Sequence, residues 1–417
     1  MKVIILDGSQ AQDTTGVPVR QALTDELHER GWDIEQFTLR DMKIRSCAGD
    51  FSCWVRNPGI CQMDDDNRTI AAAMVGSNLM IYLTPVTFGG YSSILKRAVD
   101  HLIQNISPSF TKVGGETHHK RRYREYPDFL AIGWTDMPDV KTESIFHHLI
   151  QRNAINFYAR KYASAVVIAG RNDCNLSVFM HKLLDEIDNK KIYAPLSLPE
   201  HREISCAGTK VQNALLLVGS PRMQQSSSNI LGEYLFDQMG TAIRKETVCL
   251  HRAVRSPADM KSMMDAVDAA DLVTLVFPLY VDSLPAPVIE ALEKIASHRQ
   301  DGELTKRPLF TAIANCGFPE AYQNATAIAI CETFAHQAKF EWAGSLMLGA
   351  GGMINGQTLV ESGRRTVRVR NSLEMAARAL IEGQTIPDEA QDLLAKPAIP
   401  AWLYRMVGNF GWKMQTR

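Results

Sequence analysis

A short apolar run that stops at Gly-Ser and gives way to a helical pattern occurs twice in this chain, once in each half. Residues 3–6 (Val-Ile-Ile-Leu) lead to Gly8-Ser9, and a helix is expected over 17–30 with Ala22, Leu23 and Leu27 on one face. Residues 214–218 (Ala-Leu-Leu-Leu-Val) lead to Gly219-Ser220, and Ile230, Leu231, Tyr234, Leu235 and Met239 then recur at helical spacing. A second pair repeats the arrangement: 79–85 precedes a Gly-rich turn and a helix carrying Ile94, Leu95, Ala98, Val99 and Leu102, and 272–278 precedes Val288, Ile289, Leu292 and Ile295. Further strands are expected at 129–134 and 165–169, and at 309–314 and 342–348. Nearly continuous hydrophobic strands alternating with helices are what parallel sheets covered on both faces require. The expected fold is therefore α/β, with two tandem doubly wound parallel five-stranded sheets.

A length of 417 residues suits two such cores. The Pro- and Gly-containing stretch 193–210 reads as a linker, which gives a first domain over 1–192, a second over 211–385 and an aromatic-rich helical tail over 386–417. That tail is expected to pack on its own domain or on a neighbouring subunit, with peripheral membrane contact as the alternative. Lys and Arg number 45 against 46 Asp and Glu, so the chain lacks the basic footprint of a nucleic-acid-binding protein. No apolar run reaches the ~18 residues needed to span a bilayer. The N-terminal apolar run is four residues and ends at Asp7, too short for a signal-peptide core, so a cytoplasmic location is expected.

Ligands of open parallel sheets bind beyond the carboxyl ends of the strands, so the loops there are the candidate site. The second half reads Gly219-Ser220-Pro221-Arg222 followed by Ser226-Ser227-Ser228-Asn229, hydroxyls and a guanidinium at a helix start, suited either to a helix cap or to an anion. The first-half counterpart, from Gly8-Ser9-Gln10 to Asp13-Thr14-Thr15-Gly16, keeps hydroxyls but carries an acid and no cation, and is expected to hold a phosphate less well. After the third strand come Pro85-Val86-Thr87-Phe88-Gly89-Gly90-Tyr91 and Pro278-Leu279-Tyr280-Val281-Asp282-Ser283, where Phe88, Tyr91 and Tyr280 offer aromatic faces to a flat ring. After the fourth, Asn315-Cys316-Gly317 and Gly133-Trp134-Thr135 supply backbone groups.

The distance from Ser9 to Pro85 is 76 residues but that from Ser220 to Pro278 is 58, so the first half holds 18 more before its third strand. That stretch contains Cys47, Cys53 and Cys61. Three thiolates with Asp50 are one short of the four a cubane iron-sulfur cluster prefers, and the spacing is not that of a zinc knuckle. A loop of free thiols, with Asp64–Asp66 capping the next helix, is favoured over either metal. Cys249 reads as core, and Cys316 as a thiol that could reach solvent. No His is placed near any cysteine by the sequence. The basic insertion 107–126 reads as a solvated lid or a subunit arm, with a direct grip on a phosphorylated ligand such as NADPH as the alternative.

Taken together, Gly-Ser-Pro-Arg with trailing serines, Thr-Pro-Val-Thr-Phe-Gly-Gly-Tyr-Ser-Ser-x-Leu-Lys and Pro-Leu-Tyr-Val-Asp-Ser-Leu-Pro-Ala-Pro resemble the flavin loops of the NAD(P)H-dependent FMN reductase and iron-sulfur flavoprotein family, whose fold is flavodoxin-like. The resemblance implies FMN, with its phosphate on Ser220, Arg222, Ser226 and Ser228, and on Ser9, Gln10, Thr14 and Thr15 in the first half. It implies ring contacts from Pro85, Val86, Thr87, Phe88 and Gly89, and from Pro278, Leu279, Tyr280, Asn315 and Gly317. It also implies electron transfer from NAD(P)H or another donor to a quinone, a flavin or a protein acceptor, and association into homo-oligomers. Alternatives are an electron carrier or flavin sensor without substrate turnover, and one domain being degenerate. The ring itself accepts hydride, so no catalytic proton donor is assigned.

Overall fold

The computed structural model describes residues 1–169, 175–189, 197–198, 208, 210–222, 226–302, 306–354 and 356–416. The chain divides into two compact units, one of Met1–Cys47, Phe51–Pro199 and Arg405–Arg417, the other of Ala48–Asp50 and Glu200–Tyr404. Apart from 197–198, 208 and 210, the expected linker 193–210 lies outside the described residues.

The first unit runs β1 Lys2–Asp7, α1 Gly16–Glu29, β2 Asp33–Thr38, α2 Ser52–Val55, α3 Asn67–Val75, β3 Leu79–Pro85, α4 Ser93–Val99, β4 Ile106–Val113, β5 Glu116–Arg121, β6 Asp128–Thr135, α5 Val140–Asn156, β7 Tyr162–Ile168 and α6 Leu176–Asn189. Its main sheet is parallel throughout in the order β2-β1-β3-β6-β7. Val3, Ile5, Ile81, Leu83, Leu130 and Ile132 form one core face with Val19, Leu23 and Leu27 of α1 and Leu183, Leu184 and Ile187 of α6. With a side-chain period of two, Ile4, Leu6, Met80, Tyr82 and Phe129 occupy the opposite face and are buried as well. This double burial is why the strands read as unbroken apolar runs.

The second unit runs β8 Asn213–Val218, α7 Ser227–Gln238, β9 Arg244–Cys249, α8 Leu250–Ala253, α9 Pro257–Ala269, β10 Leu272–Pro278, α10 Ala286–Asp301, β11 Leu309–Asn315, α11 Ala325–Gln337, β12 Glu341–Leu348, α12 Val367–Ile381 and α13 Asp388–Ala395. A final helix, α14, covers Ala401–Gln415. The sheet order β12-β11-β10-β8-β9 is that of the first unit read from the other edge, again all parallel. Leu394 of α13 joins the same core as Leu373 and Leu380 of α12. Among the described residues no helix is long and apolar enough to cross a membrane.

The insertion 107–126 is packed on its inner side and solvated on its basic outer side. It forms an antiparallel hairpin of β4 and β5, closed by Gly114-Gly115, both at positive φ. Phe110, Thr117 and His118 are buried, whereas Lys112, Gly114, Gly115, Lys120, Arg121, Arg124 and Glu125 face solvent. Glu116 anchors the hairpin to α5 through an ion pair with Arg152 and accepts a hydrogen bond from His118 Nε2 at 2.8 Å. Burial works against the Glu116 carboxylate, but these partners outweigh it and hold the group at about 2.

Candidate functional site

In each sheet the chain leaves its first strand to one side and its third to the other, so the first- and third-strand loops flank a topological switch point. Glycine is required at the first of these loops. A Cβ on Gly8 would lie 2.5 Å from Leu95 Cβ of α4, and one on Gly219 would lie 2.6 Å from Val288 Cγ2 of α10, so only a bare α-carbon lets the first-strand loop pass the helix that follows the third strand.

In the first unit Ser9 is buried, its N–H donating to Asp7 Oδ1 at 2.9 Å and its hydroxyl accepting from Arg40 Nη1 at 2.9 Å. Arg20 Nε stands 3.5 Å from Asp7, and its Nη1 is buried without a hydrogen-bond partner among the described residues. Two guanidiniums therefore back a loop that carries no cation in its own sequence, a feature sequence reasoning missed because Arg20 lies on α1 and Arg40 beyond β2. Asp13 turns into the loop, accepting from Gly16 N at 3.1 Å and from the Trp134 indole at 2.9 Å. Gln10 accepts from Gln12, Thr15 donates to Asp136, and the Thr14 carbonyl accepts from Val17 N.

The third-strand loop closes with Thr87 and Gly90 exchanging backbone hydrogen bonds of 3.0 and 2.7 Å, which puts Phe88 and Gly89 at positive φ. Pro85, Val86 and Thr87 are half-buried, whereas Phe88 and Gly89 are buried, Gly89 against Ile145. Tyr91 is not a ring-stacking face. It is buried edge-on to Tyr82 and Phe146, with its hydroxyl donating to Asn153 Oδ1 at 2.8 Å.

The second unit repeats this geometry with different side chains. Tyr280 and Ser283 exchange backbone bonds of 2.9 and 3.1 Å around Val281 and Asp282, both at positive φ. Leu279 N donates to the Asn315 carbonyl just as Val86 N donates to that of Trp134, so Asn315 and Trp134 are equivalent positions. Each ties the fourth strand to the start of the first helix. Trp134 does so through Asp13, and Asn315 by donating from Nδ2 to Ser228 Oγ at 2.7 Å. Ser226 caps α7, accepting from Asn229 N at 3.1 Å. Ser220 is buried and accepts from Arg222 N, and Arg222 Nη2 donates to the Gly49 carbonyl. No carboxylate occurs from Gly219 to Asn229, although 223–225 lie outside the described residues. Pro278, Leu279 and Tyr280 are half-buried at the sheet end. Gly317 is exposed, its carbonyl accepting from the Tyr404 hydroxyl at 2.8 Å. Cys316 is not solvent-accessible. It is buried, and burial pushes its thiol up to about 12.

The structure does not gather Cys47, Cys53 and Cys61. Among the described residues no group of three or more His, Cys, Asp or Glu side chains could hold a metal ion. Cys53 is buried on α2, next to a Trp54 ring that stacks on Phe51 at 5.0 Å. Cys61 instead meets a histidine, its Sγ 3.5 Å from His101 Nδ1, while His101 Nε2 lies 2.7 Å from the Arg45 carbonyl. Burial opposes ionisation of the Cys61 thiol, but the His101 imidazole outweighs it and holds the thiol below its ordinary value. Asp66 makes no side-chain cap on α3. It accepts from Lys43 N, while Asp65 accepts from Arg45 N through Oδ2 and from Asn67 N, at the start of α3, through Oδ1 at 3.2 Å, so the acids pin the incoming chain and Asp65 also meets the helix start.

An all-parallel five-stranded sheet in the order 2-1-3-4-5, with ligand-type loops at its switch point, defines a flavodoxin-like domain, and this chain has two such sheets. Residues 1–120, which include the first- and third-strand loops and the cysteine segment, match the NADPH-dependent FMN reductase family. The chain is 35% identical over 101 residues to an iron-sulfur flavoprotein of Methanocaldococcus jannaschii, a stretch that is 24% of this chain and 51% of that protein. It is 26% identical over 100 residues to an iron-sulfur flavoprotein of Archaeoglobus fulgidus, covering 24% and 48%. The chain thus spans about half the length of these relatives. Among solved structures, an NAD(P)H:quinone oxidoreductase from Methanothermobacter marburgensis aligns at 13% identity over 42% of this chain and 96% of that one, with a TM-score of 0.32.

Proposed function

We propose that this protein is an FMN-dependent oxidoreductase that takes electrons from NAD(P)H and passes them to a quinone, a flavin or a protein acceptor. The observation that carries this reading is the FMN reductase match over 1–120, whose first- and third-strand loops meet at a switch point of the sheet. FMN, when bound, supplies hydride acceptance and electron transfer, and the protein supplies position and electrostatics.

The two units differ in how well they suit the phosphate. In the second, Ser220, Arg222, Ser226 and Ser228 put hydroxyls and a guanidinium at the start of α7 with no carboxylate in the described loop, a donor set that fits a dianion. Pro278, Leu279, Tyr280, Asn315 and Gly317 would border the ring. In the first, Ser9, Gln10, Thr14 and Thr15 share their loop with Asp13, whose carboxylate already accepts Gly16 N at the start of α1. Arg20 and Arg40 back this loop but face Asp7 and Ser9, so the Asp13 carboxylate favours a first, family-matched unit that holds FMN more weakly than the second, with Pro85, Val86, Thr87, Phe88 and Gly89 as its ring site.

FMN per chain measured on purified protein saturated with FMN tests both points. A ratio near one is expected, lost on Arg222→Glu and rising toward two on Asp13→Ser. A ratio near two in the unaltered protein defeats the assignment to one unit. Anaerobic NADH or NADPH should bleach the flavin, with colour returning on adding a quinone. A flavin that binds but stays oxidised points instead to a carrier or sensor.

A further inference from the structure

Helix α14 carries an apolar face that stays exposed among the described residues. Trp402, Met406, Val407, Phe410 and Met414 are each between 57% and 68% exposed, five of the fifteen large hydrophobic side chains exposed among the described residues. Four of them recur at intervals of four residues, so they form a single stripe. The other side of the helix is fastened within the first unit. Phe110 N donates to Asn409 Oδ1 at 2.5 Å and Asn409 Nδ2 donates back to the Phe110 carbonyl at 3.1 Å. Arg405 donates to Thr117 at 3.1 Å, and Trp412 stands edge-on to Phe51 and Trp54 at 5.7 and 5.5 Å. Gly408 lies so close to the Phe110 ring that a Cβ would come within 2.6 Å of it. The stripe is therefore held outward by a docked helix.

We propose that this face seats the protein on an anionic lipid bilayer. The charge pattern selects that occupant. Residues 396–417 contain Lys396, Arg405, Lys413 and Arg417 and no Asp or Glu, in a chain whose net charge is −1. Lys413, eleven residues after Trp402, falls on the same side as the stripe, where its stem can lie along lipid while its ammonium meets a headgroup phosphate. Aromatic and methionine side chains beside basic residues, without acids, match the interfacial boundary of an anionic membrane. A second copy of the chain fits less well, because a twofold contact through the stripe would bring Lys413 toward its own symmetry mate. The inference rests on α14 alone and does not depend on the flavin reading.

Co-sedimentation of the full-length protein with vesicles tests it. Binding to phosphatidylcholine vesicles containing about one third phosphatidylglycerol should exceed binding to pure phosphatidylcholine by at least about fivefold, and Lys413→Ala should weaken it by about fivefold, the effect of one basic residue at such a surface. Met406→Ser with Phe410→Ser, both at exposed positions, should abolish binding while leaving the circular dichroism unchanged. Protein that stays in the supernatant with the anionic vesicles overturns the proposal, as does equal binding to both compositions. A dimer that Phe410→Glu converts to monomer, with no vesicle binding, assigns the face to a second copy instead.

Discussion

The imidazole of His101 has one neutral tautomer open to it. Its Nε2 lies 2.7 Å from the Arg45 carbonyl, which can only accept, so that nitrogen carries a proton and the Nδ1 lone pair faces Cys61 Sγ at 3.5 Å. The thiol proton therefore has an acceptor already oriented by the backbone. Burial opposes charge on the imidazole, but the thiol and the Arg45 carbonyl outweigh it and raise His101 above its usual value, as expected of a pair that shares a proton. Cys316 has no such partner, and a thiol near 12 holds about a thousandfold less thiolate at neutral pH than one near 9. Iodoacetamide at neutral pH, followed by peptide mapping, should label Cys61 well before Cys316, and His101→Asn should slow labelling of Cys61 by about tenfold. An unchanged rate in that variant would show that the imidazole does not activate the thiol.

At the scale of the elements, each sheet has its own close junction of loop and helix, which Gly8 makes passable in the first unit and Gly219 in the second. Gly8→Ala and Gly219→Ala should each cost about 1–3 kcal/mol, since Leu95 Cβ and the Val288 methyl must move to admit a new atom. Gly317→Ala, with nothing within 4 Å of the added Cβ, should leave stability within about 0.5 kcal/mol. Urea unfolding of the three variants checks the ranking, and a loss at position 317 as large as at position 8 would refute it. The same junctions explain what the sequence made legible. Val3–Leu6 and Leu272–Phe277, short apolar runs bounded by Gly8-Ser9 and by Pro278, read as strands buried on both faces. The edge strands β2 and β9 were harder to see, because Asp33-Ile34-Glu35-Gln36 and Arg244-Lys245-Glu246 are largely solvent-facing and carry little apolar signal. The hairpin of β4 and β5 was overlooked although Gly114-Gly115 between Val113 and Glu116 is a two-residue turn signal, since the run of basic residues nearby suggested solvent. In the candidate site, the hydroxyls and glycines of the loops were readable. Arg20, Arg40 and His101 were not, because each reaches its partner across a fold that must exist before the contact does.

Across the whole molecule, three titratable groups, His251 and Glu116 buried and His119 partly so, point to acid sensitivity with the same sign. Burial pushes His119 in the first unit and His251 in the second down to about 4, so each folded unit holds a neutral imidazole where the unfolded chain, near 6.5, takes up a proton. The unfolded state binds more protons between those two values, and stability must therefore fall as pH drops from about 6.5 toward 4. A shift of that size corresponds to about 3 kcal/mol per histidine, a large share of the stability of an ordinary domain. Glu116 adds a second window. Its folded value near 2 lies below the unfolded 4.5, so its contribution is present above 4.5 and is lost between there and 2. The chain also becomes cationic in acid, with 45 Lys and Arg, 11 His and 46 acids that neutralise, and general repulsion could imitate these effects. Substitution separates the two causes. His251→Leu removes a buried imidazole whose Nε2 has no hydrogen-bond partner among the described residues, so it should flatten the pH dependence of the second unit's urea midpoint between 6.5 and 4. It should leave the first unit's dependence in place until His119 is also replaced, whereas self-repulsion would persist in both variants. A midpoint level from pH 7 to 4 in the unaltered protein would mean that neither histidine is held neutral by the fold.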